Sequence, residues 1–424
     1  MCYEVELPLS PGDSPGFSLK FWCILMPLPL FFLSYLVTLV PVSVARTQGE
    51  KESIYSLRYR VYVDELKKAR LSGIDHGRKW VRDPEDDRED SRIFYTGPIE
   101  RPTAAIRADL YRPADVPEPF ARRFSLDLFP ELAGEVISES SRLVVSPEGR
   151  GRLGVAALSL ASYRFGAMSN KCRFGFCQVV PGLVKYYPRV GMRLYAGRMI
   201  PTPDGMRVPM MAIWSDLNYL RRHRSFLAPL CRETFGPSKQ APVAIEQFAN
   251  RLGDGDVPIL LDRAAVRAAI SPLFHGQCQI LEGMPRSLLD SMSDHGMVLN
   301  VPPGELILRE GLFEQELFIV LSGEVEVFRG AHVLCVLGPG EPMGEVAMLN
   351  ATGRRTASVR ARSPSRLLVF NRRYVENLLR LVPQCGGRLI YNLARIMASR
   401  MSAAPTEPHD DLNNCLPLTA ETHT

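Results

Sequence analysis

No two cysteines in this sequence stand at the CxxC spacing of a zinc site, although there are nine of them. The seven histidines form no HExxH or HxH cluster, so no metal is expected. Scattered cysteines of this kind point to reduced thiols and a cytosolic setting. Neither sign of charge dominates. The 51 basic and 46 acidic side chains leave a net charge of +5, too mild to indicate nucleic acid. No internal repeat is visible. What remains is ordinary globular composition, 46% hydrophobic and 23% charged. The 424 residues are enough for two or three domains.

Residues 21–45, "FWCILMPLPLFFLSYLVTLVPVSVA", carry no charge at all and are long enough to span a bilayer. Three readings stay open. The first is a membrane anchor. Lys20 precedes the run and Arg46, Lys51, Arg58 and Arg60 follow it, which would tether a cytoplasmic protein to the inner face of the membrane. The second is a secretory signal cleaved after Ser43-Val44-Ala45; Glu4 and Glu6 count against it. The third is an extension outside the working protein. Pro27, Pro29 and Pro41 interrupt a continuous helix. The run is expected to be dispensable, so that a chain starting near residue 47 folds and stays soluble.

Beyond it, helix-like and strand-like segments alternate. "ESIYSLRYRVYVDEL" (52–66) repeats its apolar residues at helical spacing. "AAIRADL" and "EVISESSRLVV" read as strands, "GVAALSLASYRFGAM" as a helix and "RFGFCQVV" as a buried strand. From about residue 277 the rhythm changes to short strands separated by Gly and Pro turns, as in an antiparallel barrel or jelly roll. The expected fold class is therefore α+β: an α/β domain, then a β-barrel with flanking helices. The expected boundaries are 1–46 for the extension or anchor, 47–235 for the α/β domain, 236–276 for a linker, 277–401 for the barrel and its helices, and 402–424 for a disordered tail.

The stretch "MGEVAMLNATGRRTASVRA" (343–361) sets one carboxylate and one guanidinium at the two ends of a loop between strands. Such a loop suits a ligand with hydroxyls and a negative charge. A guanidinium fork matches two phosphate oxygens, and Gly344 permits close backbone approach. Together with "PPGELILREG", "LFIVLSGEVEVF" and "LGPGEPMGE", this segment resembles the cyclic nucleotide-binding domain family over about 125 residues. The resemblance implies a site at Gly344, Glu345, Val346, Ala347, Arg355 and Thr356, with Glu345 on the ribose 2′-hydroxyl and Arg355 on the cyclic phosphate of cAMP or cGMP. Met343 and Pro342 depart from the family pattern. The plain alternative is a Glu–Arg salt bridge closing a jelly-roll loop. No helix-turn-helix is recognisable after the barrel, so a DNA-binding regulator is not expected.

"LRYRVYVDEL", "AIRADL", "ESSRLVVSPEGRGRLG" and "KYYPRVGMRL" resemble the GNAT-fold autoinducer synthases and the related long-chain N-acyl amino acid synthases. The resemblance implies transfer of an acyl group from an acyl carrier protein or CoA thioester to a small amine. It places Arg58 and Tyr62 on a substrate-side helix, Arg107 on an early strand and Glu139 with Arg142 as a Glu-x-x-Arg pair. Tyr187, four residues before Gly191, is where such enzymes carry a tyrosine that protonates the leaving thiolate. The residues themselves support part of this. Attack on a thioester needs an unprotonated amine, hence a base such as Glu139. In a regular strand Glu139 and Arg142 point to opposite faces and converge only across a bulge. The loop entering a helix at Gly154, with Arg150 and Arg152, is a candidate phosphate seat. The GNAT glycine pattern is displaced here to Gly151, Gly154 and Ala156, which puts the donor in question. Plainer alternatives are a strand-edge carboxylate at 139 and a packing tyrosine at 187. The acidic run "DPEDDRED" (83–90) reads as a solvated loop, or as a docking surface for a cationic amine.

Two functions follow. One is an N-acyltransferase gated by a cyclic nucleotide. The other is a non-catalytic nucleotide sensor with a degenerate acyltransferase domain; acyl transfer to protein lysines is a third option.

Overall fold

The computed structural model describes residues 30–66, 68, 71–195, 200–202, 205–236, 259–260, 263–275, 278–312, 316–350 and 353–403. The expected tail from 404, most of the first half of the expected linker (237–258) and residues 1–29 lie outside these.

The helix expected at 52–66 begins earlier, at Gln48. Thr47 caps it. Its hydroxyl accepts from the Glu50 N–H, and the Glu50 carboxylate accepts from the Thr47 N–H in return, a reciprocal capping box. The α-helix Gln48–Tyr59 then widens into a π-turn over Arg60–Glu65.

Eight strands form one sheet in the order 43–44, 91–96, 104–111, 137–145, 174–179, 205–213 and 192–193, with 200–202 paired to 205–213. Every pairing is antiparallel except that of Ile137–Val145 with Phe174–Val179. The helix Gly154–Tyr163 makes the crossover that a parallel pair requires. The parallel pairing is short. It covers Ile137 with Phe174, Ser138 with Gly175 and Glu139 with Phe176. Past that point each strand keeps only its outer partner, and the two separate. Strand Ile137–Val145 also carries the bulge that the Glu139/Arg142 spacing required. The register shifts between Ala105 and Arg107, and Arg142 has a φ of 53°, the left-handed region that non-glycine residues avoid.

The second half forms two sheets. One has five strands, ordered 259–260, 297–301, 365–370, 317–322 and 342–343. The other has four, ordered 306–308, 358–361, 325–329 and 332–337. Their inner faces meet on Leu299, Val320, Val325, Val359 and Leu367. The helices Arg372–Leu381 and Pro383–Ala403 follow. This is the expected jelly roll. The second half of the expected linker is corrected: Ile259–Leu260 pairs with Leu299 and Val298, and helix Arg263–Ile270 packs on helix Leu288–His295. One buried cluster joins the two halves, from Ala156 and Met210 through to Met297 and Phe318.

The N-terminal run is also corrected. Its described part is a nine-residue helix, Leu30–Thr38, then the strand Ser43–Val44 on the sheet edge, paired with Tyr95 and Phe94. Val37 is fully buried, and the Ala45 N–H donates to the Ile93 carbonyl. No helix among the described residues is long and apolar enough to cross a membrane. Residues 30–45 are thus part of the folded unit, not an appendage to it. Deleting residues 1–46 is expected to lower stability by on the order of 3–5 kcal/mol, from lost apolar burial and edge hydrogen bonds. Urea unfolding of the full and shortened chains, followed by tryptophan fluorescence, measures it.

Candidate functional site

A cavity of about 790 Å³ opens where strands Ile137–Val145 and Phe174–Val179 part. Its walls divide by chemistry. Val145, Val155, Val179, Leu183 and Met192 make an apolar side, while Asp83, Arg107, Arg123, Glu139, Arg142 and Arg207 gather charge. The structure brings six of the expected residues to it: Tyr62, Arg107, Glu139, Arg142, Arg150 and Tyr187.

Glu139 is 2% exposed. Its carboxylate accepts from the Tyr111 hydroxyl at 3.3 Å and from the Arg123 guanidinium at 3.4 Å. Burial pushes the carboxyl up from its ordinary range; Arg123 opposes that shift and Asp109 adds to it. A buried carboxylate with a raised pKa is a stronger base than an exposed one. Tyr187 sits on the 3-10 stretch Pro181–Val190. Burial raises its hydroxyl pKa as well, which keeps the proton in place at neutral pH. The Tyr62 hydroxyl donates to the Leu143 carbonyl at 3.0 Å.

Glu139 and Arg142 share the cavity but do not pair. Arg142 instead grips Asp83 with two nitrogens. Burial works against its charge, and the Asp83 bonds outweigh that. Arg107 reaches Asp109 at 2.8 Å and Asp83 at 2.9 Å. Arg58 holds Asp86 through two bonds of 2.7 and 3.0 Å. This corrects two expectations. Arg58 is fully buried in an ion pair and does not line the cavity. The acidic run is solvated only in part: Glu85, Asp87 and Glu89 are exposed, whereas Asp83 and Asp86 are 4% and 3% exposed. They lie three apart at the 3-10 turn Pro84–Asp87, and that spacing sets both on one side. Their spacing was the available signal. Arg123 and Tyr111 gave none, because only the tertiary fold carries them to Glu139.

The glycine loop behaves only partly as expected. The helix does begin at Gly154, but Gly154 is outside the cavity lining, and Arg152 is exposed and outside it too. Arg150 is in the wall, paired with Glu65 at 2.6 Å.

In the second half, Gly344 has a φ of 82° and starts the short helix Glu345–Leu349, with Val346 and Ala347 in its first turn. A Cβ at Gly344 would stand 2.9 Å from the Glu316 carbonyl oxygen and 2.4 Å from Arg355 Nη1, and with the positive φ this favours glycine. Arg355 is 3% exposed. It donates to the carbonyls of Gly344 at 2.9 Å and Glu316 at 3.0 Å. Glu345 is 6% exposed and accepts from Arg400 at 3.1 Å. Arg400 also donates to the Pro342 carbonyl at 2.8 Å. The sidechains of Glu345 and Arg355 do not close on each other as the salt-bridge alternative required. Thr356 is exposed beside Arg355. No group of three or more side chains suited to a metal occurs among the described residues.

Comparison with known families finds two matches. Residues 53–216 match the N-acyl amino acid synthase FeeM family, and residues 298–381 match the cyclic nucleotide-binding domain. Each match covers less than half of the chain. The chain is 32% identical to a cyclic AMP receptor protein of Thermus thermophilus, over 32% of this chain and 60% of that protein. It is 32% identical to the human cyclic nucleotide-gated channel beta-3, over 28% of this chain and 16% of that protein. The chain therefore spans less than two thirds of the length of either relative. The solved Thermus thermophilus catabolite activator protein overlays at a TM-score of 0.27, with 30% identity, covering 29% of this chain and 58% of that one. Every residue lining the cavity lies between 61 and 214, inside the 53–216 match, and none belongs to the loop at 343–361.

Proposed function

We propose that the chain is an N-acyltransferase whose activity responds to a cyclic nucleotide. It would move an acyl group from the thioester of an acyl carrier protein or CoA to an amine such as an amino acid. The observation that carries this is the cavity between the parted strands, with buried Glu139 at its charged side and an apolar wall opposite. The amine nitrogen attacks the thioester carbonyl and its proton passes to Glu139. The carbon–sulfur bond then breaks, and the thiolate takes the Tyr187 proton. The apolar wall suits an acyl chain. Mass spectrometry of lipids from cells expressing the wild type or Glu139→Gln tests this. An acyl amide present only with the wild type is expected. Equal amounts with both would overturn it and leave the sensor reading.

Two contacts support the response to nucleotide. Arg400, near the end of helix Pro383–Ala403, already occupies Glu345. A ribose hydroxyl would compete for that carboxylate, so binding would release or reposition the helix. On the other side, Tyr187, Val179 and Met192 of the cavity wall pack in one buried cluster with Met297 and Phe318 of the second half, so the two halves meet behind that wall. A ligand with different affinity for two arrangements shifts their balance. Arg355→Ala is expected to weaken nucleotide binding by about 2–5 kcal/mol, through loss of a buried charge-assisted contact. Calorimetry decides this, and unchanged affinity would remove Arg355 from the site.

A further inference from the structure

Helix Leu30–Thr38 has two unlike faces. Ser34 and Val37 are buried, at 6% and 0% exposure, and the helix packs on Gly154–Tyr163 and Ala228–Phe235. On the other face Phe32 and Tyr35, with Leu39 in the turn just past the helix end, stand at 46%, 54% and 57% exposure. Their spacing of three and four residues aligns them in a stripe along the helix and that turn. The helix contains no charged residue. Water disfavours such a stripe, and contiguous exposed apolar surface of this kind marks an interaction site.

Beside the stripe runs a groove of about 980 Å³. Thr38 lies in its wall, between Tyr35 and Leu39 in sequence, so stripe and groove share a rim. Arg46, Lys51, Arg88, Arg92 and Arg164 line it, against Asp86 and Glu89. Asp86 is spent on Arg58 and Lys51 on Asp87, which leaves four arginines against Glu89 and a net positive groove. Arg46, Arg92 and Arg164 are exposed.

We propose that this face docks on an anionic membrane surface. The helix would lie flat, with Phe32, Tyr35 and Leu39 entering the headgroup boundary and the arginines meeting lipid phosphates. One bilayer satisfies both features at once, because its interface takes apolar side chains a few ångströms from negative charge. Aromatic rings with one polar end, such as Tyr35, favour that boundary. An acidic protein would match the groove but offers no reason for the uncharged stripe. The mode is peripheral, since the helix has nine residues and a spanning helix needs about 20.

The test is co-sedimentation of the full chain with vesicles of phosphatidylcholine alone or mixed with phosphatidylglycerol. Binding is expected only to the mixed vesicles, and weaker as salt rises. Arg46→Gln with Arg164→Gln should weaken it roughly thirtyfold, from about 1 kcal/mol per basic side chain. Phe32→Ser with Tyr35→Ser and Leu39→Ser should abolish it. Both variants alter exposed side chains, and an unchanged circular dichroism melt confirms their folding. No binding to mixed vesicles, or wild-type binding by both variants, overturns the proposal. So does a lipid-free dimer that the triple variant dissociates, which would make the face a self-interface. Capture of a purified acidic carrier protein without vesicle binding would likewise overturn it.

Discussion

Glu139→Gln is expected to leave the protein folded and to lower acyl transfer by roughly 10²–10⁴-fold, the worth of a positioned base. The glutamine oxygen can still accept from Tyr111 and Arg123, which now meet Glu139. Only the proton acceptor is lost. The pH dependence separates this from a packing defect. Burial raises the Glu139 carboxyl above its ordinary value of 4.5, so the base form accumulates only as pH rises through that raised value. The acidic limb of kcat/KM should therefore lie above the ordinary glutamate range and vanish in the variant's residual rate. The stability sign runs with it. A carboxyl raised by folding favours the folded state at low pH, and that contribution is lost as pH rises through the folded pKa. The neutral glutamine avoids this loss, so the variant should be no less stable at neutral pH. A fall in denaturation midpoint alongside the lost rate would show a structural role instead.

Asp86→Ala is expected to be among the most destabilising single changes, at about 3–5 kcal/mol. It strands the Arg58 guanidinium, which is fully buried, without its two carboxylate bonds. Arg107 loses a neighbour at 3.4 Å as well. Burial opposes the Asp86 charge, and the Arg58 bonds outweigh it, holding the carboxyl below the ordinary 3.8. A carboxyl lowered by folding stabilises above its unfolded pKa, and that stability is lost as pH falls through the folded value. Wild type should therefore lose stability below about pH 4 more steeply than Asp86→Asn does. Replacing Arg58 and Asp86 together by apolar residues of similar volume should cost much less than either change alone, because no buried charge is left unpaired. Urea unfolding across the four proteins closes the cycle.

Much of the architecture was legible because its signals are local. "AAIRADL" and "RFGFCQVV" read as strands and form them, and the short strands beyond 277 form the jelly roll, whereas the unread Thr47–Glu50 cap starts the helix expected at 52–66 four residues before its expected place. The need for a bulge between Glu139 and Arg142 followed from the two-residue period of a strand, and Arg142 supplies it. The polar constellation was legible only in part. Asp83 and Asp86 look like any surface acids in a charged run, and what makes them buried is three arginines drawn from a helix and two strands distant in sequence.

The sequence by itself determined the order of the two domains and the residue types at the nucleotide loop, because those depend on spacing within a short stretch. It also determined that Glu139 stands in a strand. Tertiary structure alone decided which charges face one another. It turned Arg58 into a buried support rather than a substrate contact, and left Arg152 outside the cavity. It placed Arg400 on Glu345 across 55 residues. It made the described part of the uncharged N-terminal run, residues 30–45, a packed helix and an edge strand. The reason is the same in each case. An ion pair or a buried face depends on which segments meet, and local propensity carries no information about distant partners.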